Sequence, residues 1–315
     1  MPLHPQSAEF VSMLAEQNPP GWEDLTPTAG REAFAGLEGL FGEKVAVEHV
    51  DDYAIGESIE AIDPAASGPV NGVKVRAYRP GPGVLPALVF FHGGGFVLGN
   101  VETHDALCRR LAVASGRCVI SVDYRLSPEA KYPEPLDDCV LATEGVHRFA
   151  DQFGIDPTRI SLAGDSAGGN LAAAVALRLR DAGSVQIESL ALLYPVVQPD
   201  FETESYRDFA TGHGLTQSTM KWFWKQYAGD LSQELPYARL LDANLSGLPP
   251  TLVVVAEYDV LRDECHCLAE RLVASGVETT THQFDGMLHG FIHFNGFFET
   301  GLNAITDIGE FLSDQ

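Results

Sequence analysis

A serine hydroxyl is a poor nucleophile at neutral pH unless a base lies in hydrogen-bond reach and a third group orients that base. The segment Gly164-Asp165-Ser166-Ala167-Gly168 fits G-x-S-x-G. Ile160 to Ala163 before it reads as a short buried strand, and Leu171 to Leu179 after it as an Ala-rich helix. A strand that turns straight into a helix pinches its backbone until the residues two before and two after the apex nearly touch. Only glycine fits there without a Cβ clash, and the apex can be held in a strained conformation. Ser166 is therefore expected above the sheet, at the positive end of a helix, with the Ala167 N–H aimed at whatever its oxygen attacks. The competing reading, a phosphate loop, wants a lysine after its glycines, and none follows here.

Position must choose a base among ten histidines. His289, in Asp285-Gly-Met-Leu-His-Gly-Phe291, comes after the last predicted strand and before the last helix, in a loop on the same sheet edge as the serine turn. His282 falls within a strand, and His266 and His147 within helices; His293 is the nearest rival. The orienting carboxylate should leave the neighbouring strand end, where Thr251 to Ala256 runs into Glu257-Tyr-Asp-Val-Leu-Arg-Asp263. Asp259 stands at once in the loop. Asp263 reads as a helix-start or supporting residue, and Glu257 is the weaker alternative. Charge on a substrate oxygen also needs donors, since each one removed typically costs about 10²–10³ in rate. His92-Gly-Gly-Gly-Phe96 follows a buried strand, and its Gly93 and Gly94 N–H groups are expected to face the site beside that of Ala167.

These groups need a frame. Val45–Ile55 and Val73–Tyr78 alternate like paired strands joined by a Gly/Pro/Ala-rich loop, and Ala87 to Phe91 is a continuous apolar run. Helices are predicted at 103–115, 135–149, 260–275 and 297–312, and strands at 118–122, 190–193, 251–255 and 279–284. Such alternation predicts an α/β fold with a doubly wound, mostly parallel central sheet and helices on both faces. Residues 196–248 break the rhythm with a polar stretch and an aromatic helix from Thr216 to Tyr227. An insertion after a central strand lies over the ligand face of such sheets. With the loosely helical leader, 1–43, it reads as a helical cap on a single domain whose core is 44–195 and 249–315. Most of the insertion's aromatics are expected to be its own packing core.

The chain's net charge of −24 and pI near 4.6 argue against nucleic acid and anionic membrane surfaces as partners. No signal peptide and no membrane-length apolar run are visible, so a cytoplasmic location is expected. Five cysteines in apolar contexts read as buried free thiols. Cys265-His266-Cys267 lies in a predicted helix with no second pair, so neither a metal nor a cofactor is expected.

The order Ser166, Asp259, His289 is that of an α/β-hydrolase. The chain resembles a bacterial member (family IV) of the hormone-sensitive lipase family of carboxylesterases, in the Gly-Asp-Ser-Ala-Gly group. The likeness rests on His92-Gly-Gly-Gly, Asp123-Tyr-Arg-Leu-Ser-Pro-Glu129, Gly164-Asp-Ser-Ala-Gly-Gly169, Glu257-Tyr-Asp-Val-Leu-Arg-Asp263 and His289-Gly-Phe291. It covers nearly the whole chain. The position after Leu126, often alanine in the family, is Ser127 here. The resemblance implies Ser166 as nucleophile, His289 as base, Asp259 as its orienter, and Gly93, Gly94 and Ala167 as oxyanion donors. Asp123, Tyr124, Arg125 and Glu129 are read as scaffolding beneath the oxyanion loop. The implied substrates are small-molecule esters of short to medium acyl chain, and a homodimer through the last strand is implied as an option. Amide, formamide or lactone cleavage would use the same machinery. A non-catalytic ligand receptor on this fold would have no need of His289. Haloalkane or epoxide chemistry wants a carboxylate at the apex, which Ser166 excludes. The polar stretch from Asp200 to Thr211 gives little support to an interfacial lipase.

Overall fold

Strands of this chain that are apolar at consecutive positions have two faces to bury, and a sheet between two helical layers satisfies both. A computed structural model, describing residues 2–62 and 72–315, has that arrangement. Nine strands form one sheet: β1 (His49–Ile55), β2 (Ile59–Ile62), β3 (Val73–Arg79), β4 (Leu85–Phe91), β5 (Cys118–Asp123), β6 (Ile155–Asp165), β7 (Leu190–Leu193), β8 (Thr251–Tyr258) and β9 (Thr279–Leu288). The order is β2-β1-β3-β5-β4-β6-β7-β8-β9. The β2, β1, β3 and β5 contacts are antiparallel; β5 through β9 run parallel.

Ten α-helices complete the chain: α1 (Pro5–Gln17), α2 (Pro27–Ala35), α3 (Asp105–Ser115), α4 (Glu134–Arg148), α5 (Ala150–Phe153), α6 (Ala167–Ala182), α7 (Glu204–Asp208), α8 (Gln217–Ala228), α9 (Arg262–Ala274) and α10 (Glu299–Ser313), counted among the described residues. The pleat sorts each strand's side chains. Val89 and Phe91 join one apolar core with α4, α6 and α9, while Leu88 and Phe90 join the other with α3 and α10. Alanines in α6 let that helix lie close beneath the sheet, and Ala172 through Leu177 are all buried.

The boundaries differ from the sequence reading in instructive ways. Strand β1 begins at His49, not Val45, and β2 adds a short edge strand where the sequence predicts a loop. The Gly/Pro/Ala-rich connection expected there lies largely outside the described residues. Strand β9 runs on to Leu288, beyond the expected end at Phe284, because Gly286 at φ +73 absorbs a register shift against β8. The polar stretch contains α7, whose Tyr206 is fully buried. The leader and the insertion meet, Thr219 Oγ1 donating to Glu23 Oε2 at 2.6 Å. The aromatics of α8 pack on the sheet's loops as well as on one another: Tyr227 stacks on Phe96 with ring centroids 3.8 Å apart, and Phe223 lies against Gly95. Among the described residues no helix is long and apolar enough to cross a membrane.

Candidate active site

The turn from β6 to α6 is as tight as its glycines require. A Cβ on Gly164 would stand 2.2 Å from the Gly168 carbonyl oxygen, and one on Gly168 would stand 1.8 Å from that of Phe91. At the apex Ser166 takes φ 54°, ψ −118°, a region that disfavours any side chain. The strain is held by its neighbours: the Ser166 N–H donates to Leu193 O at 2.8 Å, and its carbonyl accepts the Val196 N–H at 3.0 Å.

The next strands bring the partners. Asp259 directly follows β8 and His289 directly follows β9. His289 Nδ1 lies 2.6 Å from Asp259 Oδ2, and His289 Nε2 lies 2.9 Å from Ser166 Oγ. A carboxylate only accepts, so Nδ1 carries the proton, leaving Nε2 to accept the Ser166 O–H. Asp259 is 2% exposed, and its second oxygen accepts the Leu261 N–H at 3.0 Å, so neither lone-pair set is idle.

The alternatives weighed from sequence are elsewhere. His293 is buried and stacks on His104 with centroids 4.0 Å apart. His282 pairs with Asp307, His266 bonds Gln283, and His147 is exposed on α4. Glu257 Oε2 accepts the Gly286 N–H, while Asp263 opens α9 and accepts the Ser205 N–H, tying the insertion to the acid loop. Cys265 donates to Pro195 O at 3.3 Å. Among the described residues no set of three His, Cys, Asp or Glu side chains is placed to hold a metal ion.

The glycine loop corrects one expectation. The Gly93 N–H does not face the site; it donates to Asp165 Oδ1 at 2.8 Å. The carbonyls explain the rest. His92 O accepts the Tyr124 hydroxyl at 2.7 Å, Gly93 O lies 2.8 Å from His92 Nδ1, and Gly94 O accepts the Val97 and Leu98 N–H groups. In a trans peptide the N–H points away from the C=O. With three successive carbonyls anchored, the following N–H groups are fixed too, and those of Gly94 and Gly95 find no acceptor among the described residues. The Ala167 N–H, in the first turn of α6, is likewise free of an intrahelical partner.

Of the residues read as scaffolding, Tyr124 and, through Arg31, Glu129 bond toward that loop. Glu129 pairs with Arg31 at 2.6 Å, and the same guanidinium donates to Val97 O and Ser127 O. Arg125 is held by Asp138 and Glu134, and Asp123 closes β5. Ser127 donates to Ala130 O, a bond that an alanine there would lack. Below the loop lies a buried polar cluster that sequence reasoning missed: His92, His104, His293 and Asp165. Burial alone would raise the Asp165 carboxyl, but the adjacent His104 imidazole, His293 and the Gly93 N–H hold it down to about 2. Burial and the nearby His104 push His92 down to about 3, and the same two causes hold His293 well below its ordinary value. The one signal in sequence for this cluster is Asp165 itself, the variable residue before the apex.

A family model described as the alpha/beta hydrolase fold matches residues 88–293, the span from within β4 to just past His289. The chain belongs to the α/β-hydrolase family. Within it, the chain is 38% identical over 245 residues to Esterase LipI of Mycobacterium tuberculosis, covering 76% of this chain and 77% of LipI. It is 40% identical over 233 residues to the Carboxylesterase NlhH of the same species, covering 71% and 73% of the two chains. The solved structure of the hyperthermophilic esterase from the archaeon Pyrobaculum calidifontis superposes with a TM-score of 0.90 at 38% identity, covering 100% of this chain and 99% of that one. The resemblance to the hormone-sensitive lipase family of α/β hydrolases, read from five motifs, agrees with these relatives.

Proposed function

We propose that this α/β hydrolase cleaves carboxylic esters through an acyl-enzyme formed on Ser166. The observation that carries the reading is the unbroken line Asp259–His289–Ser166, at 2.6 and 2.9 Å, next to N–H groups with no partner of their own. Ser166 Oγ attacks the acyl carbonyl as His289 Nε2 takes its proton. The oxygen that becomes negative is met by the N–H groups of Gly94, Gly95 and Ala167; Gly93, expected from sequence to take part, is occupied by Asp165. His289 then returns the proton to the departing alcohol, and a water repeats the sequence to free the acid. Asp259 keeps the imidazole in the tautomer that the first step requires.

Residues 1–43 and 196–248 are proposed to cap this site, a reading supported by the Thr219–Glu23 bond and the seat of Phe223 against Gly95. The esterase and carboxylesterase names of the relatives favour esters over amides as substrates. Short to medium acyl chains remain the proposed range.

The test is Ser166→Ala assayed with 4-nitrophenyl esters of graded acyl length. Turnover should fall by about 10⁴–10⁶ with the circular dichroism spectrum unchanged. Retention of a tenth of the activity removes Ser166 from the mechanism and the proposal with it.

A further inference from the structure

Asp165 has no part in the steps above, yet it is a carboxylate of 4% exposure beside the apex serine. Building on the ester-hydrolase reading, we propose that Asp165 is a positioning residue that sets the oxyanion loop by holding the His92–Gly93 peptide, so that the next two N–H groups meet the oxyanion.

The His92 C=O and the Gly93 N–H are the two poles of one peptide unit. Tyr124 holds the first at 2.7 Å and Asp165 the second at 2.8 Å, so the plane cannot turn about either neighbouring bond. The need for such a grip follows from composition. Three consecutive glycines have no Cβ to limit their backbone, and Gly94 and Gly95 already sit at φ +116° and +61°. A loop so free would present its donors in many orientations, and a donor misplaced by about 1 Å is worth about 10² in rate. The fit between the partners is close: a Cβ on Gly93 would stand 2.3 Å from Asp165 Oδ2. The glycine and the aspartate are therefore a matched pair, joining the elbow to the oxyanion loop across adjacent parallel strands β6 and β4.

Charge alone would argue against an aspartate here. A buried anion beside a developing oxyanion raises the energy of the state to be stabilised. What the carboxylate offers is a strong, charge-assisted acceptor for a backbone N–H. On the far side His104 Nε2 lies 3.4 Å from Oδ1, without a hydrogen bond to it. Thr103 Oγ1, 2.9 Å from His104 Nδ1, fixes that ring in turn. Two substitutions separate the hydrogen bond from the charge. Asp165→Ala removes both. Asp165→Asn keeps an acceptor for Gly93 and removes the charge.

Each variant is assayed for kcat and KM on a 4-nitrophenyl ester and for inhibition by an aryl trifluoromethyl ketone, whose tetrahedral adduct places an anionic oxygen among the donors. Asp165→Ala should lose about 10²-fold in kcat, with KM within about threefold and ketone affinity falling in parallel. Asp165→Asn should recover at least about tenfold of that loss. Activity of Asp165→Ala within threefold of the parent overturns the proposal. So does an Asn variant no better than Ala, or a loss in kcat that leaves ketone affinity untouched. Should Asp165→Ala not fold, Tyr124→Phe frees the other pole of the same peptide and should cost about tenfold in kcat at constant KM; an unchanged kcat overturns the idea as well. Ser166→Ala serves as the separate control: if it stays active, the ester-hydrolase reading fails whatever the Asp165 series shows.

Discussion

The strain at the apex can be weighed by comparing Ser166→Gly with Ser166→Ala. Both remove the hydroxyl, so the lost bond to His289 cancels between them and only the backbone term and the Cβ remain. At φ 54°, ψ −118° a residue with a Cβ sits in a sparsely populated region, worth about 3 kcal/mol at the upper end of such cases. Glycine relieves that, but it loses more freedom on folding, about 1 kcal/mol, and forgoes about 0.8 kcal/mol from burying the methyl. The glycine variant should therefore be the more stable by about 1 kcal/mol. For a chain of 315 residues, with about 2 cal/mol/K of unfolding entropy per residue, that is about 1.5 °C in melting temperature. Urea unfolding of the two variants, with the slope checked for constancy, measures the difference directly. Neither variant should turn over ester. An alanine variant as stable as the glycine one, or more so, would mean that the elbow stores no strain at Ser166 and that the apex geometry has another origin.

Gly168→Ala would drive a Cβ to 1.8 Å from the Phe91 carbonyl and 2.8 Å from that of His92; both are backbone, so nothing flexible can yield. The loss should exceed about 3 kcal/mol in urea unfolding, whereas Gly183→Ala, in open space at φ +63, should cost about 1–2 kcal/mol; equal losses would contradict the close-approach argument. The pH dependence of stability has a definite sign. His92 is held at about 3 by burial and by His104, while an unfolded histidine titrates near 6.5, so between those values the unfolded chain binds a proton that the folded one does not. Stability contributed by this group is complete above about pH 6.5 and is lost as pH falls toward 3, about 2 kcal/mol having gone by pH 5. His293, depressed by the same causes, adds in the same direction. Urea midpoints that stay level from pH 7 to pH 5 would contradict both.

The site's chemistry was written locally. Gly164 and Gly168 announce a turn that no other residue permits, and the apolar runs of β4, β6 and β8 announce strands buried on both faces. Asp259 and His289 leave the sheet at the ends of β8 and β9. Boundaries were less legible: β9 bulges after Phe284 and pairs with β8 again at Leu288, opposite Tyr258, with the Gly286 N–H taken by the Glu257 side chain, and no alternation of side chains advertises that resumption. Tertiary structure alone decided which loop amides stay unpaired. Three glycines in a row look alike in sequence, since nothing in their own chemistry separates one N–H from the next. Asp165, lying 72 positions away along the chain, claims Gly93, and the anchored carbonyls of His92, Gly93 and Gly94 leave Gly94 and Gly95 free. A residue's identity fixes what it can bond to, but which bond is already taken depends on distant segments that meet only when the sheet has formed.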